Sequence, residues 1–205
     1  MADFANLLKQ SGATLRAMQG ASLDWLRKQS MGITSTTADE LIDTKEPFKR
    51  IVKLSETSIG KMYMFRYDAK WKHKLPYWDM YPIIFPIEYY GDGFLGINFH
   101  YLPPMARAKL MDALMETMNN DRFNKTTKLQ ISYQILKGAS KYSYFRPCVK
   151  KYLFSQVRSN FLYISPLEWN IALMLPVQKF VTSNPGQPDR EVSTIRVYKD
   201  SMLKV

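Results

Sequence analysis

Two hydrophobic rhythms divide the chain. Over GKMYMFRYD, residues 60–68, Met62, Met64 and Arg66 alternate with Tyr63, Phe65 and Tyr67. That is the period-2 pattern of a strand with two usable faces. The runs MYPIIFPIEYY and FLGINFHYL read as two further strands, joined by GDG, a hairpin connection whose glycines tolerate positive φ. Pro82 and Pro86 have no N–H to give a ladder, so their strand is expected at an edge or bulged. Three or four such strands make a small curled sheet or a barrel of the SH3 kind, since a lone hairpin is not stable.

The rhythm changes at Pro103–Pro104, which open a predicted helix, ARAKLMDALMETM, with Leu110, Met111, Leu114 and Met118 on one face. A Met-rich stripe at this spacing reads as core. Residues 128–138 and 147–157 are expected to be further helices. SPLEWNIALMLP carries a capping box, with Ser165 as N-cap, Pro166 at the first helical position and Glu168 three residues on. SNPGQPDRE reads as a flexible linker, and STIRVYKDSMLKV as a last strand or a docked tail. Upstream, residues 4–30 look helical in short pieces broken at Gly12 and Gly20, and the polar residues 31–46 look like a linker. The predicted class is α+β: a small SH3-like curled sheet or barrel followed by a helical region, with an N-terminal helical arm. The expected divisions are 1–46 (arm and linker), 47–104 (β unit), 105–182 (helical basic–aromatic region) and 183–205 (C-terminal tail).

Composition narrows the class. Of 205 residues, 46% are hydrophobic and 14% aromatic, enough for a real core and unlike a disordered basic tail. A single cysteine, Cys148, excludes internal disulfides and CxxC knuckles, suits a reducing compartment and reads as a small buried hydrophobe. The longest apolar run, IALMLPV at 171–177, is too short to span a bilayer, and the N-terminus lacks a signal-type pattern. No membrane partner is expected.

Charge is the most informative feature. The formal net charge is +11, which favours an anionic partner, with nucleic acid first. Residues 122–167 contain no Asp or Glu, yet hold Arg122, Lys125, Lys128, Lys137, Lys141, Arg146, Lys150, Lys151 and Arg158. Aromatics are interleaved among them. Phe145, Phe154 and Phe161 are assigned to the core; Tyr142, Tyr144 and Tyr152 stay open between core packing and base stacking. A second cluster comprises Lys61, Arg66, Lys70, Lys72 and Lys74, the last three flanking Trp71, which is either a loop-packing or a base-stacking residue. Cations neutralise phosphates and aromatic faces stack on exposed bases, so this composition suits nucleic acid. The candidate DNA-binding set is therefore Lys70, Trp71, Lys72, Lys74, Arg122, Lys125, Lys128, Lys137, Lys141, Tyr142, Tyr144, Arg146, Lys150, Lys151 and Arg158. A solvated or protein-facing basic surface is the alternative reading of the same charge.

No catalytic constellation stands out. Asp79, Glu88 and Asp92 are the carboxylates a nuclease would have to use, but they sit in strands and turns where structural roles are common. The two histidines, His73 and His100, lack a carboxylate or cysteine at ligand spacing, and no phosphate-loop, dinucleotide or nucleophile-elbow motif occurs. The sequence predicts a binding protein without catalysis, cofactor or metal.

The stretch from GKMY through LPYWD, YPII and GDGFLG to HYLPP and its helix, about residues 60–117, resembles the DNA end protector or virion structural protein family of T-even-like tailed phages. The resemblance implies a protein that is added late in head assembly, binds the terminus of packaged linear duplex DNA and shields it from host exonuclease. It would then reside in the virion and the host cytoplasm. The alternative it leaves open is a structural component docking on an acidic ring of portal, neck, tail or baseplate proteins.

Overall fold

The computed structural model describes residues 59–166 and 178–202, together with Trp169 and Ala172. The expected N-terminal arm and linker, and most of the helix expected over 165–176, lie outside the described residues. Eight strands and three α-helices are described, and the class is α+β. The strands are β1 (Met62–Met64), β2 (Trp78–Asp79), β3 (Ile83–Tyr90), β4 (Gly93–Asn98), β5 (Val149–Leu153), β6 (Leu162–Ile164), β7 (Phe180–Thr182) and β8 (Arg190–Val192). The helices are α1 (Pro104–Met118), α2 (Lys125–Lys141) and α3 (Thr194–Met202). The larger sheet has the order β5-β4-β3-β1-β6, with every pairing antiparallel, and β2-β7-β8 form a smaller one.

The alternation read in β1 sorts its side chains between two cores. Met62 and Met64 join Ile83, Phe85 and Ile97 beneath α1 and α2, while Tyr63 and Phe65 join Ile84, Phe94 and Tyr152 on the opposite face. The second core shows that the sheet is curled. Strands β5 and β1 are three places apart, roughly 14 Å in a flat sheet. Yet the rings of Tyr152 and Phe65 have centroids 5.3 Å apart, and those of Tyr152 and Tyr67 5.0 Å. Only a concave face brings them together, and aromatic rings fill it.

The prolines behave as their chemistry requires. Pro103 is the N-cap of α1 and Pro104 its first residue. Pro86 coincides with a register shift against β4, so β3 is bulged as expected, but it lies inside the sheet between β4 and β1. The β3–β4 hairpin has a different basis from the one expected. Among the described residues only Gly60 and Gly186 have positive φ, so the GDG turn does not rest on that freedom. Gly93 is needed for space: a Cβ there would lie 2.0 Å from the Tyr152 carbonyl oxygen on β5.

Helices α1 and α2 follow the predicted spacing. Leu110, Met111 and Leu114 are buried, with Met118 packed beside them. Asn124 caps α2 by accepting from the Thr127 N–H at 2.9 Å. Residues 147–157, however, are not helical. They form β5 between two 3-10 turns, because Val149 to Leu153 gain a full ladder against β4 that a short isolated helix could not match. Strands β5 and β6 thus draw on the stretch expected to be helical, and the sheet is built from both sides of residue 104. The stretch read as a linker connects β7 to β8 through Gly186, and of the two readings of the tail the docked one holds: Thr194–Met202 form a helix, α3, that places Val197 in the core.

Candidate nucleic-acid interface

A cleft of about 540 Å³ opens beside the concave face of the sheet. One wall is the loop between β1 and β2, which the sequence LPYWD closes. Its residues wind into consecutive turns: Lys72 N–H donates to the Ala69 carbonyl, and Lys74 and Leu75 N–H to that of Trp71. The turns gather the basic side chains around one ring. Lys70 and Lys74 lie 5.2 and 5.1 Å from the Trp71 centroid, which remains 56% exposed. Such cation–π contacts hold a large apolar face at the surface instead of folding it away. The opposite wall is β5, where Lys150 lies 4.0 Å over the Tyr101 ring. Tyr77, Trp78 and Tyr101 complete an aromatic interior.

The floor is a buried polar network. Asp79 accepts from the Asn98 side chain at 2.9 Å, from His100 Nδ1 at 2.7 Å and from the Tyr81 backbone N–H at 3.1 Å. Asn98 also donates to the Tyr152 hydroxyl at 2.9 Å. An ionised carboxylate only accepts, so His100 presents its Nδ1–H to Asp79. Burial, with Asp79 a smaller contributor, pushes the Tyr101 and Tyr152 hydroxyls well above the usual phenol range, and both stay neutral. Behind the floor, Arg107 is buried and donates to the Leu102 carbonyl, Gln178 and the Tyr198 hydroxyl, tying α1 to α3. Burial lowers its pKa, opposed chiefly by Tyr198 and Asp79.

The candidate residues separate into groups. Lys70, Trp71, Lys150 and Lys151 share the cleft. Strand geometry sends the two adjacent lysines to opposite faces of β5. Lys150 turns to Tyr101, while Lys151 pairs with Asp92 at 3.0 Å and overlies Tyr90. A shared helical surface for that pair is therefore ruled out. Lys72 reaches Asp68 at 3.2 Å and Asp189 at 3.9 Å. Arg158 lies 3.7 Å from Asp68, and Lys128 caps α1 through the Met118 carbonyl at 2.8 Å. Lys137 pairs with Glu88 at 2.8 Å, and that hydrogen bond, aided by one from Tyr90, lowers the Glu88 pKa. Arg122, Lys125, Lys141 and Arg146 are exposed along the ends of α1 and α2 and the following turn, away from the cleft lining. Tyr142 is 68% exposed, whereas Tyr152 is buried in the aromatic core; the side chain of Tyr144 lies outside the described residues. Of the phenylalanines assigned to the core, Phe145 and Phe161 pack against it, but Phe154 lies at its margin, 36% exposed.

Sequence reasoning missed the aromatic interior of the cleft and its floor. Tyr101 was hidden inside the HYLPP junction. The Asp79–His100 contact joins residues 21 apart, and Asn98 meets Tyr152 across 54. Among the described residues, no group of three or more His, Cys, Asp or Glu is arranged to hold a metal ion, and no helix is long and apolar enough to cross a membrane.

Among known proteins, a family model described as the phage T4 terminal DNA protecting protein matches residues 24–200. No curated protein and no solved structure matches the chain. The matched span covers most of the sequence, including all eight strands and both walls of the cleft, and the chain belongs to the phage T4 terminal DNA protecting protein family.

Proposed function

We propose that this protein binds the ends of linear duplex DNA packaged in a phage head and shields them from host exonuclease. The observation that carries the proposal is the family match over residues 24–200. The net charge of +11, with no acidic residue across 122–167, supports it by supplying the cations that displace counterions from phosphates. The cleft supports it by offering what a smooth basic surface lacks, a recess in which a chain end differs from a continuous duplex. Lys70, Trp71 and Lys150 contact the terminus in this reading, and the exposed Arg122, Lys125, Lys141 and Arg146 hold flanking phosphates. Protection then needs no chemistry, because an exonuclease must engage the same terminus. Such a protein acts in the virion and, after injection, in the host cytoplasm.

The test compares one sequence as a linear duplex and as a covalently closed circle, in competition, while salt is raised. If about six phosphates are neutralised, log affinity falls against log salt with a slope of about −5. The linear form should bind tighter at every salt concentration and resist an added exonuclease in proportion to occupancy. Equal affinity for circle and linear duplex would overturn the proposal.

A further inference from the structure

We infer that the cleft takes an unpaired terminal nucleotide, so that the protein grips a frayed or tailed end in preference to a flush one. This rests on the end-binding reading and adds to it what the site recognises.

Size comes first. At about 540 Å³ the cleft falls in the range of small-molecule pockets, about 300–1,000 Å³, and cannot enclose the cross-section of a duplex. A single nucleotide fits. The lining matches both halves of one. Trp71 offers an exposed ring for a base, the edges of Tyr77, Trp78 and Tyr101 add aromatic lining, and Lys70 and Lys150, which line the same cleft, supply cations for its phosphate.

The carboxylates of the cleft do not oppose an anion as strongly as their number suggests. Asp79 is spent on Asn98, His100 and Tyr81, and Asp92 on Lys151. Trp71, held at the rim by two lysines and more than half exposed, presents the accessible ring on which a base can stack.

The experiment measures affinity for a blunt linear duplex, the same duplex with a three-nucleotide single-stranded tail, and the closed circle. Each is measured with the parent protein, Trp71→Ala and Trp71→Phe. Because Trp71 is exposed, both variants should melt with the parent. The tailed end should bind about fivefold or more tighter than the blunt one, a single base stack's share. Trp71→Ala should abolish the tailed end's advantage over the blunt one, and Trp71→Phe should retain most of it. Equal binding of blunt and tailed ends, or a tail advantage that survives Trp71→Ala, overturns the nucleotide pocket and leaves end binding standing. Equal binding of linear and circular DNA overturns both.

Discussion

Replacing Asp79 by Asn removes one negative charge and one acceptor from the floor of the cleft while keeping the side chain's size. The cost follows from counting donors. Three of them converge on the two carboxylate oxygens: the Tyr81 N–H on Oδ1, and the Asn98 amide and His100 Nδ1 on Oδ2. An asparagine offers one oxygen, so in either orientation its NH₂ group faces at least one of these donors in a site from which water is excluded. A hydrogen bond to a charged group is lost, at about 1.5–3 kcal/mol, and a buried donor is left unsatisfied, at about 1–3 kcal/mol. Allowing for relaxation, the expected loss is about 3 kcal/mol. For a chain of this size, each kcal/mol lowers Tm by about 2–4 °C, so the variant should melt about 6–12 °C below the parent. The control is Asp92→Asn, whose carboxylate is exposed and holds only the surface pair with Lys151, and which should melt within about 2 °C of the parent. Thermal melts followed by circular dichroism and by tryptophan fluorescence make the comparison. If both variants melt together with the parent, the network does not hold the floor, and the cleft's shape needs another cause.

Further predictions concern β5 and the residues beside it. Gly93→Ala would set a Cβ 2.0 Å from the Tyr152 carbonyl oxygen, pushing β5 off β4; it should cost about 1–3 kcal/mol or more and weaken DNA binding through displaced Lys150, measured by denaturant titration and by affinity. Burial pushes the Cys148 thiol up to about 12, so the native protein should resist alkylation at neutral pH and react only on unfolding; prompt labelling of the folded chain would contradict this. A thiol whose folded pKa is raised stabilises fully below the ordinary value of 9.0, and that contribution is lost as pH rises from there through about 12, which urea melts across the alkaline range should register. Finally, Lys150→Glu should weaken linear-DNA binding about tenfold at moderate salt, against a smaller effect for Lys151→Glu, whose parent cation already offsets Asp92; equal losses would put both lysines on the DNA.

The parts of the fold legible in the sequence are those decided locally. The Met and aromatic alternation of β1 announced two faces, and both turned out buried. Pro103–Pro104 and the spacing of Leu110, Met111 and Leu114 marked α1. Strand β5 gave no such signal, because an edge strand beside a ladder needs no clean alternation, and VKKYL buries only Tyr152 fully. In α3, Ile195, Val197 and Tyr198 favour a strand by composition, but Val197 enters the core and Tyr198 binds Arg107, so tertiary contacts decide the helix.

The same distinction governs the candidate site. Charge was read along one dimension, where Lys150 and Lys151 look like a unit and Lys70 belongs to a different cluster. The pleat of β5 separates the neighbours, one to the Tyr101 ring and the other to Asp92. The fold brings Lys70 and Lys150 to the lining of one cleft although they are eighty positions apart in the chain. A basic–aromatic composition therefore identifies a class of partner, because counterion release depends on how many cations there are. Where the cations converge is a matter of strand order and of long-range contacts such as those of the buried Asp79, which leave no mark at short range. In the proposed reading, density of charge would give the affinity, and the recess between the loop and β5 would give the terminus its distinction from the rest of the duplex.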